Sequence, residues 1–543
     1  MLYGLPAEVT LNVLSYLPIP SLLSLPVLSR RWLDFFTANQ STIFRSAALL
    51  HEYMQPRTSL LEDALSLNTG RPWTGSTSWK DFCRRSIQLR KNWEGKGHAV
   101  ARAFSPPGLN VYRLKVDEKR GICIMTCIWG GLNVVHLFSG TLLWCLSMSH
   151  VPSRARCEYD NGYLVFDQNQ EEDTSREVWR LTSEFTAEGE VAADAPPDGR
   201  QMDVSARAEL YHQYAPLGQF QPWALLRFPE IAWKYRLVYP TLLCASDEHA
   251  FLHDVRTGSL LQTIDLRYRD ISDGDVNERH VFFCELDAVH VFSRESGNEV
   301  LCIPTDVSLW SSQRVEDPFL VSGDWFTTPL SLYSEVVYEH RPTWFVAARV
   351  SRDGRDLVVL SKNTCSIVFI RDFERICRGE TSLEQAGLVL NIQPKDTCYY
   401  LDFEHDHACV ATMQGLYIFT FDPGCSARVA FVRPSENASD GSPSYPISCV
   451  QLTERRIYFT WEDERHRQDI PLFEDVENAR ELSRPITPAF DPDFQMSPWI
   501  VEHEEVQLRA RQCHLSPPVT TTLPAAHLPN PPTQDELLIT YRL

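Results

Sequence analysis

The spacing of apolar residues predicts several helices in the first hundred residues of the chain. From Pro6 to Leu17 the valines and leucines recur every three or four positions, which predicts a first helix that ends before Pro18. Ser21 is predicted to cap a short second helix that carries three leucines and breaks at Pro26. A third helix is predicted over residues 27–36.

Three further segments have helical spacing, at residues 41–54, 60–67 and 78–93. The last segment is rich in lysine and arginine. It is predicted to end at Gly95 and Gly97, because glycine terminates helices readily.

After about His98 the pattern changes to short apolar runs separated by Gly, Asp, Asn and Pro, which predicts an all-β domain. A unit of two apolar runs around a turn recurs at 134–146, 250–264 and 288–303, and more loosely at 366–379 and 415–431. The turn glycines are Gly140, Gly258, Gly297, Gly379 and Gly424, at intervals of 118, 39, 82 and 45 residues. These intervals are near multiples of about 40 residues, the length of a propeller blade. The period predicts a β-propeller of about six or seven blades, rather than a sandwich or unrelated hairpins.

The predicted organisation is an α+β multidomain chain, with small all-α segments followed by a large all-β propeller. Its predicted parts are a helical domain at 2–46, a helical linker at 47–97, the propeller at 98–480 and a proline-rich tail at 481–543. The stretch 167–203 holds eleven acidic residues against three arginines and is predicted to be a mobile insertion. A second variable loop is predicted around 434–446, and residues 536–543 are apolar enough to form a strand that closes the propeller.

Composition narrows the class of protein. The 543 residues are 43% hydrophobic and carry a formal net charge of -20, which favours a globular protein and argues against nucleic-acid binding across its surface. No apolar run approaches the length of a membrane span. The fifteen cysteines include no CxxC pair, and the N-terminus lacks a secretory signal, so we expect a reducing compartment, cytoplasmic and/or nuclear.

The N-terminal residues resemble the F-box, the motif by which substrate receptors bind a Skp-type adaptor in cullin-based ubiquitin ligases. The matching positions are Leu5, Pro6, Glu8, Leu14, Leu17, Leu22, Leu25, Val27, Ser29, Arg31 and Trp32. The resemblance implies that Leu5, Pro6, Leu14, Leu17 and Leu22 contact the adaptor. It implies that Glu8, Leu25, Val27, Arg31 and Trp32 are structural. The chain departs from the motif at Ser21, where Asp is common, and at Pro26.

The basic segment resembles the linker that joins F-box and propeller in F-box proteins with WD repeats. The resemblance is carried by Ser78-Trp79-Lys80, the Arg84-Arg85 pair and Asn92-Trp93 before the glycines. Apart from a possible Gly97-His98, the propeller part lacks the Gly-His and Trp-Asp signature of WD repeats. It is therefore predicted to be WD-repeat-like only.

Candidate chemical sites are few. His405, His407 and Cys409 would share one face of a strand, but a structural zinc site needs four ligands, so a hydrogen-bonded histidine is the preferred interpretation. Cys123 and Cys127 also share a strand face and are interpreted as packing residues. No P-loop, nucleophile-elbow or dinucleotide-binding motif occurs. We expect no metal and no cofactor.

The sequence therefore predicts a non-catalytic substrate receptor of an SCF-type ubiquitin ligase. Its expected partners are a Skp-type adaptor, a cullin bound through that adaptor, and an unidentified target protein, with no nucleic acid and no membrane. Arg349, Arg352 and Arg355 are weak candidates for a target-binding phosphate site. Two alternatives remain, an F-box scaffold without ubiquitin transfer and a propeller hydrolase with a helical accessory domain.

Overall fold

The computed structural model describes most of the chain, and every statement below refers to the residues it describes. The residues outside this description are 1–4, 52, 55–59, 68–75, 97–98, 104–110, 169–173, 185–193, 213–216, 268–269, 306–310, 319–326, 335–343, 363–364, 393–397, 413–414, 423–425, 433–446, 448, 454–455, 461–536 and 542–543.

Five helices form the N-terminal part of the chain. They are α1 Ala7–Ser15, α2 Ile19–Leu28, α3 Arg30–Leu50, α4 Leu61–Leu67 and α5 Trp79–Trp93. The predicted start and end of the second helix are both wrong, because α2 begins two residues before Ser21 and continues past Pro26. Pro20 is accepted in the first turn, where its missing N–H has no helical acceptor. Pro26 lies in the last turn, so the helix ends soon after it.

The third and fourth predicted helices are one kinked helix, α3. Ser29 caps its start by accepting a hydrogen bond from the backbone N–H of Trp32 at 3.3 Å, so the helix begins after 27 rather than at it. The kink lies at Asn39, whose φ of -120° is not helical. The Asn39 side chain donates a hydrogen bond to the carbonyl of Phe35 at 2.9 Å, which accompanies the bend.

Both ends of α5 are defined by capping groups. The Ser78 hydroxyl accepts from the backbone N–H of Asp81 at 3.2 Å and donates to its carboxylate at 2.7 Å. At the other end, Lys96 N–H binds the carbonyl of Lys91 and Gly95 N–H binds that of Asn92. This pair of bonds is a Schellman motif, with Gly95 at the left-handed position.

The rest of the described chain forms seven β-sheets, six of which contain four consecutive antiparallel strands. The first three of these blades are β2 Val111–Asp117, β3 Ile122–Cys127, β4 Leu132–His136, β5 Leu142–Leu146; β6 Cys157–Asp160, β7 Tyr163–Asp167, β8 Ser175–Leu181, β9 Phe220–Arg227; and β10 Lys234–Val238, β11 Thr241–Ala245, β12 His249–Asp254, β13 Leu260–Asp265. The next three are β14 Asp273–Val276, β15 His280–Cys284, β16 Ala288–Ser293, β17 Glu299–Pro304; β21 Phe345–Val350, β22 Leu357–Ser361, β23 Ser366–Ile370, β24 Gly387–Asn391; and β25 Cys398–Glu404, β26 His407–Thr412, β27 Leu416–Phe421, β28 Ala427–Val432.

The seventh sheet joins the two ends of the propeller sequence. Its strands are β1 Ala99–Ala103, β29 Val450–Leu452, β30 Arg456–Phe459 and β31 Leu537–Tyr541. The strand predicted within 536–543 is therefore β31, and it pairs in parallel with both β1 and β30. The remainder of the predicted proline-rich tail, and the variable loop predicted at 434–446, lie outside the described residues.

The first strands of the seven sheets form a closed ring. Each of these strands contacts the first strand of the next sheet, and the last contacts the first. In order around the ring they are β2, β6, β10, β14, β21, β25 and β29. This arrangement is a β-propeller, as the sequence predicts. Because strands within a blade alternate in direction, the turns after the first and third strands lie on one face, and those after the second and fourth lie on the other.

Four of the five predicted hairpins are the third and fourth strands of their blades: β4–β5, β12–β13, β16–β17 and β27–β28. The fifth prediction is wrong, because in 366–379 strand β23 leads into a short helix, α7 Phe373–Cys377. Phe373 is fully buried, so the second apolar run of this unit packs as a helix, and another short helix, α8 Leu383–Ala386, precedes the fourth strand. Gly424 lies outside the described residues.

The acidic stretch 167–203 is not a single insertion. It contains strand β8, in which Arg176 and Glu177 are buried, and the start of helix α6 Gly199–His212. Charged residues on this strand hid it from the sequence pattern, because their charges are neutralised only by tertiary contacts. Three strands between the fourth and fifth blades, β18 Ser311–Val315, β19 Thr327–Leu330 and β20 Leu332–Ser334, extend the fifth and sixth blades.

Gly95→Ala should destabilise the protein more than Gly379→Ala. Both glycines have a φ of +71°, so each alanine costs about 1–2 kcal/mol of backbone strain. A Cβ at Gly95 would also lie 3.1 Å from the Pro329 nitrogen, whereas nothing lies within 4 Å at Gly379. We expect a further loss of about 1 kcal/mol for Gly95→Ala, measured by urea denaturation. Equal losses would contradict the close packing of α5 on β19.

Candidate functional site

The N-terminal helices enclose a small apolar core. Leu14, Leu22, Phe36 and Phe44 are buried in it, and α5 completes it with Phe82. Leu14 and Leu22 have no exposed surface in the chain by itself, so their contact with an adaptor stays a prediction. They lie on the inward sides of their helices, where they pack in the same core as Ile19 and the half-buried Leu11 and Leu25.

A different set of residues faces outward on the same helices. Leu5 and Pro6 are exposed, as the predicted contact role requires, and Leu17 is half-buried. The exposed apolar set, here termed the α1–α2 stripe, comprises Leu5, Pro6, Val9, Val13, Tyr16, Val27 and Leu28. On α1, the exposed apolar positions recur at intervals of three and four residues, so they lie along one side of the helix.

The residues predicted to be structural divide into two groups. Trp32 is buried and packs edge-on against Phe36 with ring centroids 6.0 Å apart, and Leu25 is half-buried against the same core. Val27 is 85% exposed, so it does not pack in this core, and its structural role stays a prediction. Glu8 and Arg31 are also on the surface of their helices.

Helix α5 connects this small core to the propeller. Trp79, at its start, is buried in the N-terminal core, whereas Trp93, at its end, is buried in the sixth and seventh sheets of the propeller. The Trp93 ring lies 4.8 Å from the ring of His407. Truncating a buried tryptophan typically costs about 3–5 kcal/mol, so each end of the helix is strongly held.

Ion pairs support the propeller end of α5. Arg90 binds Asp422 in the turn after β27, and Glu94 binds Arg428 on β28. Lys96 also contacts Glu94 at 2.9 Å. Asp422 follows the third strand of its blade, so this contact identifies the face that we term the linker face. The opposite face is termed the open face.

The predicted alternation of His405, His407 and Cys409 on one strand is wrong. His405 lies in the turn between β25 and β26 with a φ of +55°, and only His407 and Cys409 belong to the strand. His407 contacts Asp406 at 2.6 Å, and His407 lowers the pKa of that carboxyl to about 2 although burial opposes the shift. Among the described residues, these three side chains do not gather as metal ligands.

The three arginines proposed as a phosphate site do not form one. Arg349 is half-buried on β21 and binds Asp273. Arg352 and Arg355 lie after the first strand of the blade, on the linker face, and contact Glu404 and Asp372 at 3.7 and 3.3 Å. Each guanidinium is therefore already beside a carboxylate.

Charged side chains on the first strands link neighbouring blades around the propeller axis. Lys115 on β2 binds Glu158 on β6 at 2.9 Å, and Arg236 on β10 contacts the same carboxylate at 3.6 Å. Arg236 also contacts Asp275 on β14 at 3.3 Å. The residues of this inner ring are Lys115, Glu158, Arg236, Asp273, Asp275, Arg349, Asp402 and Gln451.

The charge of the inner ring alternates from one blade to the next until β29. Seven is an odd number, so alternation must fail once, and Gln451 on β29 is neutral. Its amide accepts from Val116 N–H at 2.7 Å and donates to Val116 C=O at 3.0 Å. Asp402 on β25 accepts from the backbone N–H of Leu452 at 2.6 Å. On the innermost strands the seventh sheet is thus joined to its neighbours through bonds to backbone groups, whereas Arg456 on β30 forms an ion pair with Glu118, next to β2, at 3.1 Å.

The open face has a polar cavity of about 410 Å³ that the sequence did not indicate. Its lining residues are Arg154, Arg156, Asp167, Arg176, Trp233, Lys234, Asp247, Asp270 and Ile271. All lie before a first strand or near a second-to-third turn, which places them on the open face. They are dispersed over more than a hundred positions, so no local motif could reveal them.

The open face also carries exposed tryptophans. Trp129, Trp233 and Trp344 are 64%, 52% and 51% exposed, and each lies in a loop on this face. Leu286 is exposed near Trp344, because the Leu286 carbonyl accepts a hydrogen bond from the backbone N–H of Phe345 at 3.3 Å. Exposed tryptophans are frequent anchors of protein interfaces.

The buried thiols are packing residues. Burial raises the pKa of Cys123 to about 12, and burial also raises that of Cys127 although Asn133 donates a hydrogen bond to its sulfur. Every cysteine in the described ranges is a free thiol.

None of the helices in the described ranges has the length and apolar character of a membrane span.

Leu14→Ala should destabilise the N-terminal core, whereas the adjacent Val13→Ala should not. Leu14 is fully buried, so its truncation should cost about 2–5 kcal/mol. Val13 is 39% exposed, and surface substitutions usually change stability by about 0.5 kcal/mol or less. Thermal unfolding of both variants measures the difference. A similar loss for both would show that Val13 is also buried.

Glu158→Gln should destabilise the propeller by about 3–5 kcal/mol at neutral pH, because it removes the carboxylate that Lys115 binds and leaves Arg236 with Asp275 alone. Burial alone would raise the pKa of Glu158, but Lys115 and Arg236 lower it below its ordinary value. The carboxylate therefore stabilises the fold above about pH 4, and this contribution is lost as the pH falls through the lowered pKa.

Urea denaturation of wild type and Glu158→Gln at pH 7 and at decreasing pH measures this difference. It should be largest at pH 7 and shrink below about pH 4. Glu380→Gln, which removes an exposed partner of Arg378, is the control and should change little. A difference that stays constant with pH would contradict the assignment of Glu158.

A family model for the F-box domain matches residues 2–43. Among solved structures, the β-propeller domain of Cps50 (Swd1) from Myceliophteria thermophila is similar at 7% identity and a TM-score of 0.40, covering 66% of this chain and 95% of that one. A search of curated proteins found no match. The chain therefore carries an F-box domain at residues 2–43, followed by a β-propeller.

Proposed function

We propose that this protein is the non-catalytic substrate receptor of an SCF-type ubiquitin ligase. The observation that carries the proposal is the burial of Trp79 in the F-box core and of Trp93 in the propeller, at opposite ends of α5. One helix thereby holds two surfaces that carry exposed apolar side chains. These are the α1–α2 stripe and the open face.

The α1–α2 stripe is the surface proposed to bind the Skp-type adaptor and, through it, a cullin. Its side chains are large and exposed, with Tyr16 at 66% and Leu28 at 69%. Burying such a side chain contributes about 1.5–3 kcal/mol, so several together exceed the lower estimates of the cost of association. The inward leucines support this surface from beneath, because they fix the helices that present it.

The open face is the surface proposed to bind the target protein. Because α5 contacts the linker face, a target on the open face would not compete with the F-box end for space. The mechanism is proximity: a target held on the same particle as a ubiquitin-charged enzyme has a raised effective concentration. The proposal needs no catalytic group in this chain, and it places the protein in the cytoplasm or the nucleus.

Removing the outward residues of α1 should abolish adaptor binding without unfolding the protein. The variant is Val9→Ser/Val13→Ser/Tyr16→Ala, in which all three residues are exposed in the absence of a partner. Co-purification of the Skp-type adaptor with the full chain measures binding, and we expect a loss of about a hundredfold or more. Leu260→Ser/Leu261→Ser, on outer strand β13, removes a comparable exposed area and should bind normally.

Equal recovery of the adaptor with wild type and with the α1 variant would contradict the proposed docking surface. Reconstituted ubiquitin transfer tests the second step. A protein that binds the propeller should be ubiquitinated only when the receptor has an intact α1–α2 stripe. Normal adaptor binding without transfer to any propeller-bound protein would instead identify a scaffold.

A further inference from the structure

Two basic residues that line the polar cavity on the open face, Arg156 and Lys234, are not each paired with a carboxylate. Lys234 is half-buried, and among the described residues no carboxylate lies within ion-pair distance of its ammonium group. The Arg156 guanidinium donates to the Trp233 carbonyl at 3.2 Å, which is a neutral acceptor. Burial and the neighbouring Arg156 lower the pKa of Lys234 although the charges of Asp273 and Asp270 oppose the shift, so an anion bound beside this lysine would stabilise its charged form.

The base of the cavity is rigid. Arg176 is almost fully buried, contacts Asp167 at 3.2 Å and donates to the carbonyl of Ala232. Asp167 in turn accepts from the backbone N–H of Arg156 at 2.8 Å. Arg176 and Asp167 therefore neutralise each other and fix the loop that carries Trp233, so they are positioning residues rather than ligand-binding ones.

The charge of the cavity selects the charge of its ligand. Four basic residues and three acidic residues line it, which leaves one unit of positive charge. Asp247 and Asp270 are exposed at the cavity, and they would repel a doubly charged phosphate more strongly than a single carboxylate. The excess of one charge matches a monoanion.

The cavity lies beside an aromatic anchor. Trp233 lines it and is half exposed, so one side of its ring is available to an apolar side chain. The loop of Arg154, which lines the cavity, is joined to the loop of Trp129, because Arg154 N–H donates to the carbonyl of Ile128 at 3.2 Å. A ligand with an anionic group and an adjoining apolar group could therefore contact the basic residues of the cavity and the Trp233 ring together.

We propose that Arg156 and Lys234 bind the side-chain carboxylate of an acidic residue in a target protein, and that a neighbouring apolar side chain of the target packs on Trp233. This inference rests on the proposed function, since it identifies the recognition element on the surface assigned to the target. The partner is an acidic–apolar peptide segment. A phosphorylated segment is the alternative that the experiment must separate.

The test measures binding of fluorescent peptide pools to the full-length protein by anisotropy. Three degenerate pools share an apolar residue on each side of a central position that is Glu, Gln or phosphoserine. We expect the Glu pool to bind about tenfold or more tightly than the Gln pool, and more tightly than the phosphoserine pool. Equal affinity for Glu and Gln, or a preference for phosphoserine, would overturn the proposal.

Variants locate the binding to the cavity. Lys234→Met and Trp233→Ala should each weaken binding of the Glu pool by about tenfold. The matched control is Arg352→Met, which removes one positive charge from an exposed position on the linker face and should bind as wild type does. Wild-type affinity in Lys234→Met would overturn the assignment, and thermal unfolding of each variant verifies its fold.

Adaptor co-purification with the same preparations separates this inference from the proposed function. Adaptor recovery without binding of any pool would overturn the cavity assignment alone. Selective binding of the Glu pool without adaptor recovery would support the cavity and contradict the ligase role.

Discussion

The architecture depends on the burial of one helix in two separate cores. Helix α5 begins with Trp79 in the F-box core and ends with Trp93 against the propeller. A helix is stiff over its own length, so α5 and the packing at each of its ends hold the two domains in a fixed position relative to each other. The capping hydrogen bonds at Ser78 and Gly95 fix where the helix begins and ends, and therefore which residues reach each core.

The propeller supplies the second constraint, which is closure of its ring. Apolar packing between blades is supplemented on the first strands by charges that each contact a neighbouring blade. Removing such charges from water is costly, and the cost is offset only where every charge has a partner. Gln451 occupies the one position where an odd number of blades prevents alternation, and its amide binds backbone groups that carry no net charge.

The strand order gives the two propeller faces different roles. The linker face receives α5 and its ion pairs, and the open face retains three exposed tryptophans and the cavity. This division explains why the three arginines proposed from the sequence were poor candidates. Arg352 and Arg355 follow a first strand and so belong to the linker face, whereas Lys234 precedes one. Sequence proximity brought the arginines together, but strand direction decides which face a loop occupies.

Local rules in the sequence determined the helical character of the first hundred residues, the F-box and the propeller class. The helix ends at Ser78 and Gly95 and the spaced leucines depend on residues that are close in sequence, and the propeller shows as a repeat of about 40 residues. These features can therefore be recognised without coordinates. Tertiary structure decided which leucines are buried, as at Leu14 and Leu22, and that charged β8 is a strand. It also decided that Arg156 and Lys234 share one cavity. These outcomes depend on contacts between residues far apart in the chain, because burial and charge neutralisation are properties of the assembled neighbours rather than of any one segment.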